Sequence, residues 1–238
     1  MTKSGRAIQY IRAHSHAFWI LLFTLFYMVA FGAMERGGHL HYHLIHTWLD
    51  DQIPFCEYFI IPYFLWFAFN VGVVTWFVIC ADVREYYKLA AALTLGMTLF
   101  LVVSYLYPNQ LDLRPDTVPV NNICGQLVAF LYRTDTSTNV LPSIHVYNTM
   151  VLCYAVNGNE RLRRNKKLII GTNLFGASIV LSTMFLKQHS VIDVGLGLIV
   201  SVLIQMVVDR LYETQEERAA VEERETEHVR SHRRVTDN

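Results

Sequence analysis

Apolar residues gather in six long runs, at about 17–34, 57–80, 89–107, 142–156, 168–186 and 191–208, separated by short polar stretches. A helix needs roughly 17–25 apolar residues to cross a bilayer. In hydrocarbon only helices and closed barrels satisfy every backbone group, so the pattern predicts six transmembrane helices. Between the first two runs, residues 38–48 place Leu40, Leu44 and Trp48 on one helical side and His39, His43 and His46 on the other. That periodicity predicts an amphipathic helix lying in the interface. The expected fold is therefore all-α and integral to the membrane, with an interfacial helix between the first two of six spans. Three regions follow: a basic tail over 1–16, a six-helix membrane domain over 17–208, and a charged tail over 209–238.

Composition supports this division. Hydrophobic residues make up 53% of the chain and charged ones 17%, against about 25% charged in soluble domains. The net charge is zero, so nothing points to nucleic acid, and the expected partner is the bilayer. The first run ends at Glu35 without a small-residue cleavage site, which predicts a retained span rather than a signal peptide. Cysteines stand singly at Cys56, Cys80, Cys124 and Cys153, without metal-type spacing. Cys56 and Cys124 share a side and are able to pair, but unpaired small apolar residues are the favoured reading.

Charge also orients the chain. With six spans, the two tails and the stretches 81–88 and 157–167 share one side and hold sixteen of the twenty basic residues. Arg36, Arg114, Arg133 and Lys187 hold the other side. The positive-inside rule then puts both termini in the cytoplasm, in what we expect to be the plasma membrane.

The candidate chemistry lies at the opposite end. Lys187, His189 and Asp193 interrupt an apolar region, where ionisable residues are costly and mark sites. His189 and Asp193 are four apart, one helical turn, so a carboxylate can hold one ring nitrogen and leave the other free. The layout brings Arg114, Ser143, His145, Lys187, His189 and Asp193 to the same, non-cytoplasmic end. Two histidines, a carboxylate, cations and the free N–H groups after Pro142 and Ser143 are the equipment of covalent phosphoryl transfer. A metal on His39, His43 and His46 is disfavoured, because no carboxylate or cysteine shares their stripe. Neither a metal nor another cofactor is expected.

These residues carry a family resemblance. The segment Leu141-Pro-Ser-Ile-His145 resembles the P-S-G-H motif of the type 2 phosphatidic acid phosphatase superfamily, and Ser182 to Asp193 resembles its S-R-x5-H-x3-D motif with spacing intact. Arg114-Pro115 matches the end of its K-x6-R-P motif. The resemblance implies that His189 is the nucleophile, Asp193 its partner and His145 the general acid. It implies Arg114, Ser143 and Ser182 as phosphate binders, a lipid phosphate as substrate, and no metal. The chain departs from the family at Tyr107, Ile144 and Thr183, two of which replace expected cations. Lys187 either substitutes for one of these or is an interfacial lysine reaching for water. Fewer cations suit a phosphodiester monoanion, as in the inositol phosphorylceramide and sphingomyelin synthases, which this sequence also resembles, more loosely at 49–55 and 59–63.

The leading expectation is a lipid phosphatase acting through phosphohistidine on the non-cytoplasmic side; the alternative is a transferase moving a phospho-headgroup between lipids. A non-enzymatic role requires the two histidines to lie far apart, and a transporter lacks paired halves. The histidine rings are expected to face each other across a phosphate-sized gap near Arg114. Protease protection of epitope tags in sealed vesicles checks the orientation: tags at both termini are expected on the cytoplasmic side.

Overall fold

The structure, a computed structural model, describes residues 17–37 and 41–236, with side chains described to 36 and over 41–215. The 1–16 tail and His39 lie outside the described residues. The chain forms α1 (Ala17–Gly37), β1 (His43–Leu44), α2 (Trp48–Gln52), a 3-10 turn (Glu57–Phe59), α3 (Ile60–Cys80), α4 (Val83–Leu106) and β2 (Asn109–Gln110). It continues through α5 (Ile123–Thr134), α6 (Ile144–Gly158), α7 (Glu160–Arg163), α8 (Lys166–Phe185) and α9 (Val191–Thr236).

Among the described residues, five helices are long and apolar enough to cross a membrane: 17–36 in α1, 57–80 ending α3, α4, α8, and 191–215 in α9. The run expected as the fourth span is different. Helix α6 has 15 residues, about 22 Å at the α-helical rise, short of a hydrocarbon core of about 30 Å. It is the central strut, packed against α3, α4, α8 and α9. Its first turn carries His145 and its faces bury Val146, Tyr147, Val151, Leu152 and Val156.

The interfacial helix over 38–48 is not formed in the described part. Residues 41–47 are not helical, and His43–Leu44 pairs in parallel with Asn109–Gln110. His43 N–H donates to Pro108 O and Ile45 N–H to Gln110 O, both at 2.9 Å. The apolar spacing that suggested a helix is overridden by this pairing, which puts Ile45 in a small core with Leu111 and Val140. Among the described residues between 41 and 56, only Trp48–Gln52 is helical.

The main core joins α3, α4, α6 and α9 through Phe77, Tyr86, Leu93, Tyr147, Leu152 and Val208. Within a bilayer such contacts rely on close approach, because lipid is as apolar as the helix faces. Two glycines provide it. A Cβ at Gly96 would run into the Tyr147 ring, and one at Gly197 would stand 2.9 Å from Ser143 O. The Tyr147 hydroxyl donates to Ala92 O at 2.6 Å, locking α6 onto α4. The outer faces stay apolar: 6% of the apolar window of α1 and 11% of that in α3 is buried, which suits a lipid surround. All four cysteines are free, Cys124 and Cys153 being buried.

Gly96→Ala is expected to push Tyr147 off Ala92 and to cost about 1–3 kcal/mol, the usual range for overpacking. A lower melting temperature of the purified protein in detergent would register it.

Candidate active site

The site is built on the turn between α8 and α9. Helix α8 ends in a Schellman arrangement: Gln188 N–H donates to Thr183 O and Lys187 N–H to Met184 O, both at 2.9 Å, which satisfies otherwise orphaned carbonyls. Such a motif needs one left-handed residue, and Lys187 supplies it with φ 52°, at a position where glycine is usual. The side chain explains the choice. Its ammonium donates to Asp50 O at 2.6 Å and Ile53 O at 2.5 Å, tying the 50–53 backbone to the turn. Burial pulls its pKa down, opposed by Asp50 and Asp51.

Ser190 then caps α9. Its hydroxyl accepts from Ile192 N–H at 3.1 Å, and its own N–H donates to Asp193 Oδ2 at 2.9 Å, the reciprocal pattern of a capping box with aspartate in the usual glutamate position. A second carboxylate reaches the same helix end from far away in sequence. Asp50 accepts from the Ser190 hydroxyl at 2.7 Å and from Val191 N–H at 2.8 Å. Asp50 and Asp193 are 2% and 0% exposed, so both depend on these N–H and O–H donors and on the positive end of the helix dipole.

This frame fixes the histidines. His189 Nδ1 stands 3.2 Å from Asp193 Oδ2. An ionised carboxylate only accepts, so Nδ1 carries the hydrogen and Nε2 keeps its lone pair. His145 Nδ1 lies 3.3 Å from that Nε2. The two rings meet, but in direct contact and not across the phosphate-sized gap expected. His145 comes from the first turn of α6, whose N-cap Ser143 accepts from Val146 N–H at 3.4 Å and donates its own N–H to Asp193 O at 3.1 Å. Aromatic rings from α3 wall the other side: Tyr63 and Trp66 lie 4.8 Å and 4.4 Å, centroid to centroid, from the His145 ring.

The remaining expected residues divide. Ser143 is at the pair, as the cap just described. Ser182 is fully buried and donates to Ile179 O at 2.6 Å. Lys187 is engaged by the two carbonyls. Arg114 comes from the 111–122 loop and approaches through Gln188. Four of its hydrogen bonds go to carbonyl oxygens: Tyr132 O, Asp135 O, Thr136 O and, at 2.9 Å, Gln188 Oε1. Its Nε is buried with no partner among the described residues. Asp135 lies 3.7 Å from Arg114, and burial raises its carboxyl pKa despite Arg114 and His189 nearby. At the positions where cations were expected, Tyr107 stacks on His43 at 4.1 Å, and Thr183 is buried with its hydroxyl on Val180 O. His46 pairs with Asp51 at 2.9 Å.

Asp50, Tyr63, Trp66 and Gln188 escaped the sequence reading. Tyr63 and Trp66 are ordinary aromatics in an apolar run, and Asp50 sits in a polar loop. Only Gln188, one position before His189, had a local signal: an amide in an apolar context.

A family model described as the PAP2 superfamily matches residues 85–217. No curated protein and no solved structure matches the chain.

Asp50→Ala leaves the Ser190 hydroxyl and Val191 N–H without their acceptor. Each bond to a charged group is worth about 1.5–3 kcal/mol, so we expect at least ~2 kcal/mol of lost stability, or roughly 4–8 °C in melting temperature. Asp50→Asn, which keeps one acceptor oxygen, should recover part of that loss in the same thermal scan.

Proposed function

The chain belongs to the PAP2 superfamily, whose members are phosphoric ester hydrolases or related phosphotransferases acting on lipid phosphates, and from that premise we propose a membrane-embedded phosphatase working through phosphohistidine. The observation that carries this reading is the linear chain Asp193–His189–His145, with contacts of 3.2 and 3.3 Å. Asp193 fixes the tautomer of His189 and stabilises the cation that develops on it. His189 Nε2 attacks phosphorus; the bond from phosphorus to the lipid oxygen breaks, and His145 Nδ1–H gives that oxygen its proton. In the second step a water attacks the phosphohistidine, gives a proton to His145 and releases phosphate, and His189 is regenerated. Ser143 helps through the α6 N-terminus it caps, where backbone N–H groups favour an anion. The substrate is a lipid phosphate ester or pyrophosphate at the non-cytoplasmic face of the plasma membrane, with both termini in the cytoplasm.

A specific observation favours a second reading, in which a lipid alcohol replaces water and a phospho-headgroup moves between lipids. Tyr107 and Thr183 carry no charge, the Lys187 ammonium is held by two carbonyls, and Arg114 has four of its N–H groups engaged. A site this short of free cations suits a monoanionic diester better than a dianionic monoester.

The test uses purified protein and a lipid extract, with and without diacylglycerol or ceramide. Free phosphate scores the phosphatase, and new headgroup lipids score the transferase. His189→Ala is expected to lower either activity by at least ~10³-fold, and His145→Ala by about 10²–10⁴-fold, the range for loss of a general acid. His43→Ala, which removes only a ring stacked on Tyr107, should stay within about twofold, and activity should persist in EDTA. Chelator sensitivity, or an active His189→Ala protein, would sink the proposal.

A further inference from the structure

Three N–H donors around the histidine pair have no acceptor. Trp66 Nε1, Arg114 Nε and Gln188 Nε2 are each buried without a hydrogen-bond partner among the described residues, whereas buried donors in folded proteins are almost always paired. Each belongs to a residue linked to the pair by contact or by position in the chain. The Trp66 ring lies 4.4 Å from the His145 ring. Gln188 precedes His189, is 4% exposed, and has its amide oxygen fixed by Arg114 at 2.9 Å; that bond orients the amide and leaves its NH2 free. Arg114 is tied to this end by that same bond to Gln188, the residue before His189. The other unpartnered atom here, Asp193 Oδ1, is an acceptor on the Nδ1 side of the His189 ring, away from Nε2.

All three donors are therefore suited to a ligand that only accepts. Equatorial oxygens of a phosphoryl group are such acceptors, and preorganised donors in a dry site stabilise charge as it develops there. Resting on the phosphohistidine reading, we propose that the Gln188 amide and the Trp66 indole, together with Arg114 Nε, hold the phosphoryl oxygens in place of the cations absent at Tyr107 and Thr183. Two neutral dipoles and one guanidinium then do what three cations would do. The cradle fits a group carrying a single negative charge, as in a phosphodiester headgroup, better than a doubly charged monoester.

Gln188 has two possible jobs, which opposite substitutions separate. Gln188→Glu keeps an acceptor for Arg114 but removes the amide donors and adds charge; Gln188→Met removes both. Trp66→Phe keeps an aromatic ring against His145 and removes only the N–H. The readout is binding of orthovanadate, a phosphate mimic, to the purified full-length protein by titration calorimetry. We expect Gln188→Glu to weaken binding by at least ~100-fold, and Gln188→Met and Trp66→Phe by ~10-fold each, in line with the loss of one net hydrogen bond. If Gln188 merely positions Arg114, the order inverts, with Gln188→Glu near wild type and Gln188→Met the weakest. That inversion, Trp66→Phe binding within about twofold of wild type, or no binding by the wild type, overturns the proposal. Turnover keeps the two readings apart. Lipid-phosphate activity lost in His189→Ala, alongside unchanged vanadate binding in Gln188→Glu, removes the cradle and leaves the enzyme. The expected order of vanadate affinities in a protein without turnover keeps the cradle and removes the enzyme.

Discussion

Two buried carboxylates converge on the first turn of one helix, and the site hangs from that arrangement. Asp193 takes the Ser190 N–H and the His189 ring, and Asp50 takes the Ser190 hydroxyl and the Val191 N–H. Two like charges this close, in a setting of low dielectric, would repel strongly. The unpaired N–H groups and the dipole of α9 offset the repulsion, while the Lys187 ammonium on the Asp50 and Ile53 carbonyls adds a positive charge beside them. The N-terminus of α9 thus holds the carboxylates, and one carboxylate in turn holds the ring of His189.

Much of this was visible in the order of residues. Apolar runs gave the five helices long enough to cross a membrane, because a lipid-facing helix must be apolar along its span, while the charged ends that lengthen two of them, 83–88 in α4 and 209–236 in α9, carry no such signal. The spacing of His189 and Asp193 gave their contact, since residues four apart on a helix adjoin. Counting basic residues by side brought His145 to the same end as His189, forty-four positions away. The failures have one cause in common, which is that they depend on partners remote in sequence. Residues 41–47 have a helical apolar rhythm, yet His43 and Leu44 among them pair with 109–110 as strand, and no local pattern announces a partner sixty-six residues off. Lys187 looks like a phosphate ligand until the carbonyls of Asp50 and Ile53 appear beside it. Asp50 itself looked like a loop residue.

The brevity of α6 has its own role. This helix of 15 residues lies among longer ones, and its N-terminal turn is buried, Ser143 and Val146 both being 0% exposed. His145 stands on that buried end, near segments of the chain from 107 to 143: β2 beside β1, α5 against Ile60 and Leu186, and Arg114 reaching Gln188. Desolvation of this kind strengthens every charge and dipole in the site. Tyr63 and Trp66 of α3 flank the His145 ring there.

Helix α9 does not end where its apolar stretch ends. It runs from Val191 to Thr236, 46 residues, or about 69 Å at the α-helical rise, more than twice the thickness of a hydrocarbon core of about 30 Å. The residue that fixes the tautomer of His189 and the last turn of the chain are thus two points on a single rod. Its charged length, rich in alternating Glu and Arg after Asp209, continues the same helix whose first turn holds the two carboxylates, so the site and the charged segment share one continuous backbone.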